Sequence, residues 1–451
     1  MPIRTIHVTS GNYAIEQEKT SILQAFLGTC LGIVIFDRKN KIGGLIHILL
    51  SEPVSKLSTD YPEKYASTGI PIFIDKMINL GAEIENMTAY IAGGALVGPV
   101  SEQDMVLDIG GRTAEVANSI LRKKGIKIEY SETGGFFSCC LELNLKNFIC
   151  TIKPLSYDDK KEHSFKTPGQ KEILKAVDKL QPIPQVALKI LRLLNDEVYD
   201  IKKIASEVRQ DQVISAKILK LCNSSYFSIR RKIESIDDAI IVLGLNQLVK
   251  VVITNSVKQY FSQSSSGYSL CKGGLFHHAI GSAAIAEMIA IKTKTVPSGI
   301  GYTAGLIHDI GIVVLDQYAK DVKPFFYREL QKDKNILTME KELFGITHVQ
   351  VGEKLAEKWN FSKLLTDSIR YHHYPENAFK DSKDLVNILY ISDLIMTRFN
   401  AGINIGTIHT DDIEKKFNEI GLSIEQLPEL VELIPTGDPL KLGEGLQSFK
   451  S

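Results

Sequence analysis

The chain has no excess of either charge: lysine plus arginine and aspartate plus glutamate both number 53 in 451 residues. No net field draws it to nucleic acid or to an anionic membrane, so partner choice has to come from shaped sites. Long apolar runs are missing as well. The longest, such as Leu31 to Phe36 and Ile240 to Leu245, fall far short of the roughly 20 residues of a spanning helix, and no membrane insertion is expected. Behind Met1-Pro2-Ile3-Arg4 stands no uninterrupted apolar segment and no small-residue cleavage pattern, so no secretory signal is read. Cysteine is scarce: six, at 30, 139, 140, 150, 222 and 271, with no CxxC pair and no scaffold spacing. Such a set reads as reduced thiols in a cytoplasm. The single tryptophan, Trp359, lies beside Asn360 and Phe361 and reads as structural.

What is present falls into two halves. Residues 1–154 read as α/β, with apolar runs at Leu31 to Phe36, Leu45 to Leu50, Met87 to Ile91, Ile126 to Tyr130 and Phe148 to Ile152 set apart by glycine-rich turns. Helices are predicted from about Ile70 to Leu80 and from about Thr113 to Lys124. In the second, Ala114, Ala117, Ile120 and Leu121 share a face and Gly125 supplies the stop. The stretch Ser156 to Gln170 is almost wholly polar and contains a Pro-Gly pair, so residues 155–170 read as a linker. From Lys171 the period becomes helical: Val186, Leu188, Ile190, Leu193 and Leu194 form one stripe, Ile214, Ile218, Leu219 and Leu221 another. An all-α domain is expected over residues 171–395, followed by a helical extension and tail at 396–451, with Asp411 to Ile420 as its helix. Arg230-Arg231-Lys232 reads as a solvated turn and Phe325, Phe326 and Tyr327 as core.

In the first half, Cys30 opens an apolar strand at a glycine-flanked turn and the next strand carries His47. Antiparallel pairing across the turn Asp37 to Lys41 returns the imidazole to the neighbourhood of the thiol. A free thiol, with a pKa of about 8.5, is only partly ionised at neutral pH; an adjacent imidazole takes its proton and later returns one to a leaving amine. Peptide N–H groups beside Gly28 and Gly32 are candidates for an oxyanion hole. Spacing alone favours an ordinary core cysteine and histidine.

Six motifs lie behind a more specific reading: Leu27-Gly28-Thr29-Cys30-Leu31-Gly32, Gly43-Gly44-Leu45-Ile46-His47, Lys64-Tyr65-Ala66 opening a helix, Gly93-Gly94-Ala95, Ile109-Gly110-Gly111-Arg112 and Gly134-Gly135. In this order they resemble the CheD family of chemoreceptor glutamine deamidases. The resemblance implies a layered α/β hydrolase domain over residues 1–154 that needs no cofactor. Cys30 would attack a glutamine carboxamide on chemoreceptor cytoplasmic helices, His47 would protonate the departing ammonia, and water would cleave the thioester. Where the family usually has a threonine that orients the histidine, this chain has Gln24, whose amide oxygen is the expected acceptor for the ring. Thr113 stands for a common asparagine, Cys139 for an arginine and Ser51 for a proline.

The second half resembles the HDOD family, a signalling relative of the HD phosphohydrolases. The likeness rests on Leu180-Gln181-Pro182-Ile183-Pro184, Lys217 to Phe227, Ser235 to Gly244 and Gly305-Leu306-Ile307-His308-Asp309-Ile310-Gly311. In active HD relatives, positions matching His278, His308, Asp309, His348, His372, His373 and Asp393 bind one or two metal ions. Imidazole with carboxylate suits iron, manganese or zinc, able to activate a water. Ile312 replaces the lysine that often follows the HD pair, and no glycine-tyrosine-proline signature follows His372-His373. The leading expectation is a cytoplasmic chemotaxis enzyme coupled to an HDOD regulatory domain. Its rivals are a non-enzymatic adaptor binding receptors or a CheC-type phosphatase, and a metal-dependent phosphohydrolase in the second half.

Overall fold

The computed structural model describes residues 4–17, 20–53, 61–95, 108–134, 138–154, 169–180, 233–262, 274–319, 335–399 and 413–435, with Tyr268 and scattered positions between 183 and 223. The chain forms two compact units. One takes in Met1–Asp159, Leu394–Lys415 and Ser423–Asp438; the other takes in Lys160–Asp393, Lys416–Leu422 and Pro439–Ser451. Residues 155–168 of the expected linker, Cys222 and Cys271, the basic run at 230–232, the aromatic set at 325–327 and the tail beyond 435 lie outside the described residues.

Among the described residues the first unit contains nine strands: β1 (Arg4–His7), β2 (Asn12–Gln17), β3 (Ser21–Leu27), β4 (Leu31–Asp37), β5 (Ile42–Ile48), β6 (Met87–Gly93), β7 (Lys127–Thr133), β8 (Cys139–Asn144) and β9 (Ile149–Pro154). Its helices α1 (Ala66–Asn79) and α2 (Ile109–Lys123) each begin four residues before the expected start. Pro71 lies inside α1, in its second turn, and withholds the N–H that would otherwise bond the carbonyl four residues back. The strands form two sheets, ordered β2-β5-β4-β6-β7 and β1-β3-β8-β9. β4 and β5 pair antiparallel, with Gly32 opposite His47.

Side-chain alternation along β4 and β5 builds two cores. Leu31, Ile33, Ile35, Ile42, Ile46 and Ile48 pack with Ile70, Phe73, Ile74, Ala117 and Leu121 of the helices. Val34, Phe36 and Leu45 face the other way and pack with Leu23, Ala25, Leu27, Leu141 and Leu143 of the second sheet. The unit is therefore layered helix, sheet, sheet. The chain passes from the four-stranded sheet to the five-stranded one twice near its start, once through Val8 to Gly11 between β1 and β2, and once through Gly28 to Cys30 between β3 and β4.

The second unit is helical: α3 (Gln170–Lys179), α4 (Ile236–Leu243), α5 (Leu245–Ser262), α6 (Gly274–Thr293), α7 (Ser298–Ile307), α8 (Ile312–Ala319), α9 (Ile336–Phe344), α10 (His348–Lys358), α11 (Lys363–Tyr371) and α12 (Lys383–Phe399). By length and composition alone, Gly274–Thr293 and Ser298–Ala319 are apolar enough to cross a membrane, although neither is an unbroken apolar run. Their apolar windows are 83% and 89% buried inside the protein, as core helices are. Trp359 is buried against Tyr260 and Phe361. Near the C-terminus follow α13 (Ile413–Glu419) and α14 (Leu427–Glu432). Lys64 donates to the Glu432 carbonyl of α14 at 2.5 Å within the first unit.

Candidate active site and candidate metal centre

Both inter-sheet passages deliver a side chain to one place. In the first, Val8 N donates to Gln24 O and Gly11 N donates to His47 O, which seats the turn against β3 and β5. In the second, Gly94 N donates to Cys30 O and Ala95 N to Gly28 O. This approach requires glycine at 93: with φ at +98°, a Cβ there would stand 2.3 Å from the Cys30 carbonyl oxygen. The results converge on Ser10, whose Oγ lies 4.0 Å from Cys30 Sγ and 3.3 Å from His47 Nε2. Ser10 was not singled out from the sequence; in a Thr-Ser-Gly turn it carries no signal beyond turn chemistry.

His47 Nδ1 donates to Val8 O at 3.0 Å, which fixes the tautomer and leaves Nε2 as the acceptor facing Ser10. This corrects the expectation for Gln24. Its side chain lies on the outer face of the second sheet and donates to Glu142 at 2.7 Å, so the carbonyl of Val8 orients the ring instead. Gly32 lies inside β4, paired on both sides with His47 and Ala92, so its peptide belongs to the ladder rather than to an oxyanion hole. Thr113 is buried and turns its hydroxyl back to Ile109 O, while Cys139 pairs with Leu27 at the start of β8.

Cys30, Ser10 and His47 are all buried, with Cys30 and Ser10 at 0% exposure. Burial pushes the Cys30 thiol up to about 12, against a smaller opposing effect of the Ser10 hydrogen bond. Burial also pulls His47 down to about 4 despite its bond to Val8. At neutral pH both are uncharged. Low dielectric around the pair penalises both ions until something polar arrives.

The helical unit gathers all seven residues expected to bind metal. Asp309, His348, His372 and His373 form one group and His278, His308, Asp309 and Asp393 another, with the ligand atoms of each group lying within 4.8 Å of one another. Asp309 is common to both. Its Oδ1 lies 3.4 Å from His348 Nε2 and 3.3 Å from His372 Nε2, and its Oδ2 lies 3.4 Å from His308 Nε2 and 3.5 Å from His278 Nε2. Asp393 Oδ1 is 3.0 Å from His278 Nε2.

Local structure explains the convergence. Thr347 and Gln350 form a capping box that places His348 at the first position of α10. His308 ends α7 and His372 ends α11. The two glycines of the Gly305 to Gly311 motif set the HD turn between its neighbours. A Cβ at Gly305 would meet Ala283 and Ser282 of α6 at 2.7 Å, and one at Gly311 would lie 2.0 Å from His348 O.

Outer partners aim the rings. His308 Nδ1 bonds Gly305 O at 2.7 Å, His372 Nδ1 bonds Ile369 O at 2.8 Å and His348 Nδ1 bonds Glu340 at 2.8 Å. Each leaves Nε2 toward Asp309. Glu340, which the sequence reading passed over, is fully buried and also accepts from Tyr268 Oη at 2.7 Å and from the His348 backbone at 2.7 Å.

Burial alone would lower His308 and raise Asp309, but their mutual attraction, with Asp393 and His372, outweighs it. His308 rises to about 10 and Asp309 falls well below the usual carboxylate range. His308 Nε2 and Asp309 Oδ1 lack hydrogen-bond partners although buried. Buried, oriented nitrogen and carboxylate donors with unsatisfied atoms fit a bound cation. The set suits one or two ions sharing Asp309.

The fold and its two sites define a two-part signalling protein, a layered α/β domain joined to a helical HD-type domain. Residues 49–154 match the CheD family, described as chemotactic sensory transduction, and residues 180–375 match the HDOD domain. The chain is 35% identical over 153 residues to a probable chemoreceptor glutamine deamidase CheD of Clostridium tetani, covering 34% of this chain and 93% of that protein. A second relative of the same name, from Clostridium acetobutylicum, is 40% identical over 133 residues, 30% of this chain and 80% of its own. Among solved structures, an HDOD domain protein with unknown function from Geobacter sulfurreducens is similar at 27% identity and a TM-score of 0.48, covering 60% of this chain and 97% of that one. The chain belongs to the CheD family of chemotactic sensory transduction proteins and carries an HDOD domain after it. The family match begins at residue 49, beyond Cys30 and His47.

Proposed function

We propose that the first unit is a Cys-His amidohydrolase that converts glutamine side chains on the cytoplasmic helices of chemoreceptors to glutamate. Cys30 attacks the carboxamide carbon, His47 carries the thiol proton to the departing ammonia, and water cleaves the thioester to leave a carboxylate. The observation that carries this reading is the junction of the two sheets: a thiol and an imidazole of fixed tautomer, with one hydroxyl touching both. Relatives that bear the name glutamine deamidase support the choice of substrate. The resting pair is buried and neutral, so a receptor helix has to open the site, and that contact both admits the amide and supplies polarity for the ions. The chemistry takes place in the cytoplasm and needs no cofactor.

Mass spectrometry of a receptor cytoplasmic fragment tests the proposal: a gain of about one dalton per modified glutamine, absent with Cys30→Ala, is the expected result of amide hydrolysis through this thiol. Receptor binding without any mass change would instead favour an adaptor that holds receptors or a CheC-type phosphatase.

A second reading concerns the helical unit, in which Asp309 joins two ligand groups. His278, His308, Asp309 and Asp393 would hold one ion, and His348, His372 and His373 with the same Asp309 another. Iron, manganese or zinc there would supply Lewis acidity toward a phosphoryl oxygen. Elemental analysis of protein purified without chelators checks it; a metal content near zero would contradict it.

A further inference from the structure

We infer that the Ser10 hydroxyl is the relay that carries the proton between the Cys30 thiol and the His47 ring, a positioning role that rests on the amidohydrolase reading above. Because His47 Nδ1 donates to Val8 O, the ring can take a proton only at Nε2. Among the described residues Ser10 Oγ lies in hydrogen-bond reach of Nε2 at 3.3 Å, and the same oxygen meets Cys30 Sγ at 4.0 Å, a separation that the size of sulfur allows.

The relay is held from both sides. Asn12 Nδ2 donates to Ser10 O and to Thr9 Oγ1, and Gly11 N donates to His47 O, so the turn is fixed to the strand that bears the histidine. Ser10 is wholly buried, and a buried hydroxyl is costly unless it both donates and accepts. Here it accepts from the thiol and donates to the ring. On activation the S–H bond breaks as an O–H bond forms on Ser10. The original Ser10 O–H breaks as an N–H bond forms on Nε2. Serine ends neutral, and thiolate and imidazolium result. Burial is the largest influence on both Cys30 and His47, and the hydroxyl that reaches both is placed to couple them.

The test is the pH profile of iodoacetamide alkylation at Cys30 in the full chain, read on the Cys30 peptide by mass, for wild type, Ser10→Ala and Ser10→Thr. Loss of the hydroxyl should slow alkylation at neutral pH by about tenfold and move its rise to higher pH, a modest share of what acid-base assistance gives. Threonine, which keeps the hydroxyl, should restore the wild-type profile. Superimposable profiles for Ser10→Ala and wild type would overturn the relay, as would a Ser10→Thr profile matching Ser10→Ala while both melt like wild type. Iodoacetamide is small enough to reach the buried thiol during spontaneous opening of the site, without a receptor helix, so a failure of the chain to deamidate leaves this readout intact. Deamidation with an alkylation profile indifferent to residue 10 would sink the relay alone.

Discussion

At both centres the protonation states are set by what surrounds each group rather than by its intrinsic acidity. Cys30 and His47 are held neutral chiefly by burial, whereas Asp309 stays ionised in an equally buried place because histidines face it. Glu340 is the residue whose removal should separate orientation from ligation. With Glu340→Gln, metal affinity should fall roughly 10- to 100-fold, the usual cost of losing an outer carboxylate from a ligating histidine, measured by calorimetric titration with zinc or manganese. An unchanged affinity would mean that His348 needs no such partner. Lys64 offers a pH test. Burial lowers it to about 8, against a smaller opposing pull from Glu432. Between about 8 and the ordinary lysine value of about 10.4, the unfolded chain holds a proton that the folded one has released, so this group adds stability as pH rises through that window. Denaturant unfolding of wild type minus Lys64→Met should show the rise, with the difference flat below pH 8.

At the scale of elements, the apolar strands β4, β5 and β6 were legible because buried alternation and glycine turns leave a strong pattern. The antiparallel β4–β5 pair that unites Gly32 with His47 followed from the polar turn between them. Strands β1, β2, β3 and β8 were not legible. Their partly exposed residues, such as Glu16, Gln24 and Glu142, interrupt the apolar run, and the burial that explains them comes from a sheet whose other strands are distant in the chain. Missing β1 and β2 meant missing the turn between them, and with it Ser10. Glu340 escaped for a related reason: a glutamate on a helix reads as solvent-facing, and only the packed tertiary structure turns it toward His348. The seven clustered histidines and aspartates carried their signal in residue type and order, which survives without knowledge of packing. Element junctions are also where glycine substitutions should act. Gly93→Ala forces a Cβ onto the Cys30 carbonyl at a left-handed φ, and should cost roughly 2 kcal/mol or more and lower deamidation; equal stability and activity would show that the turn can shift freely.

For the molecule as a whole, the two centres share no residue, and each is complete within one compact unit. Cys30→Ala should therefore leave metal content unchanged by elemental analysis, and Asp309→Asn should abolish metal binding without altering the pH profile of Cys30 alkylation. A change in either direction would mean that one centre depends on the other for its structure. The fusion keeps the CheD unit and the HDOD unit at one local concentration, so that on the proposed reading a signal met by one would be presented to the partners of the other. The most direct test of the central claim is an acid quench during turnover on a receptor fragment, followed by mass analysis of the Cys30 peptide. The account predicts a hydroxylamine-sensitive acyl adduct on Cys30 that vanishes with Cys30→Ala together with deamidation; deamidation undiminished in Cys30→Ala, with no adduct on that thiol, would contradict it.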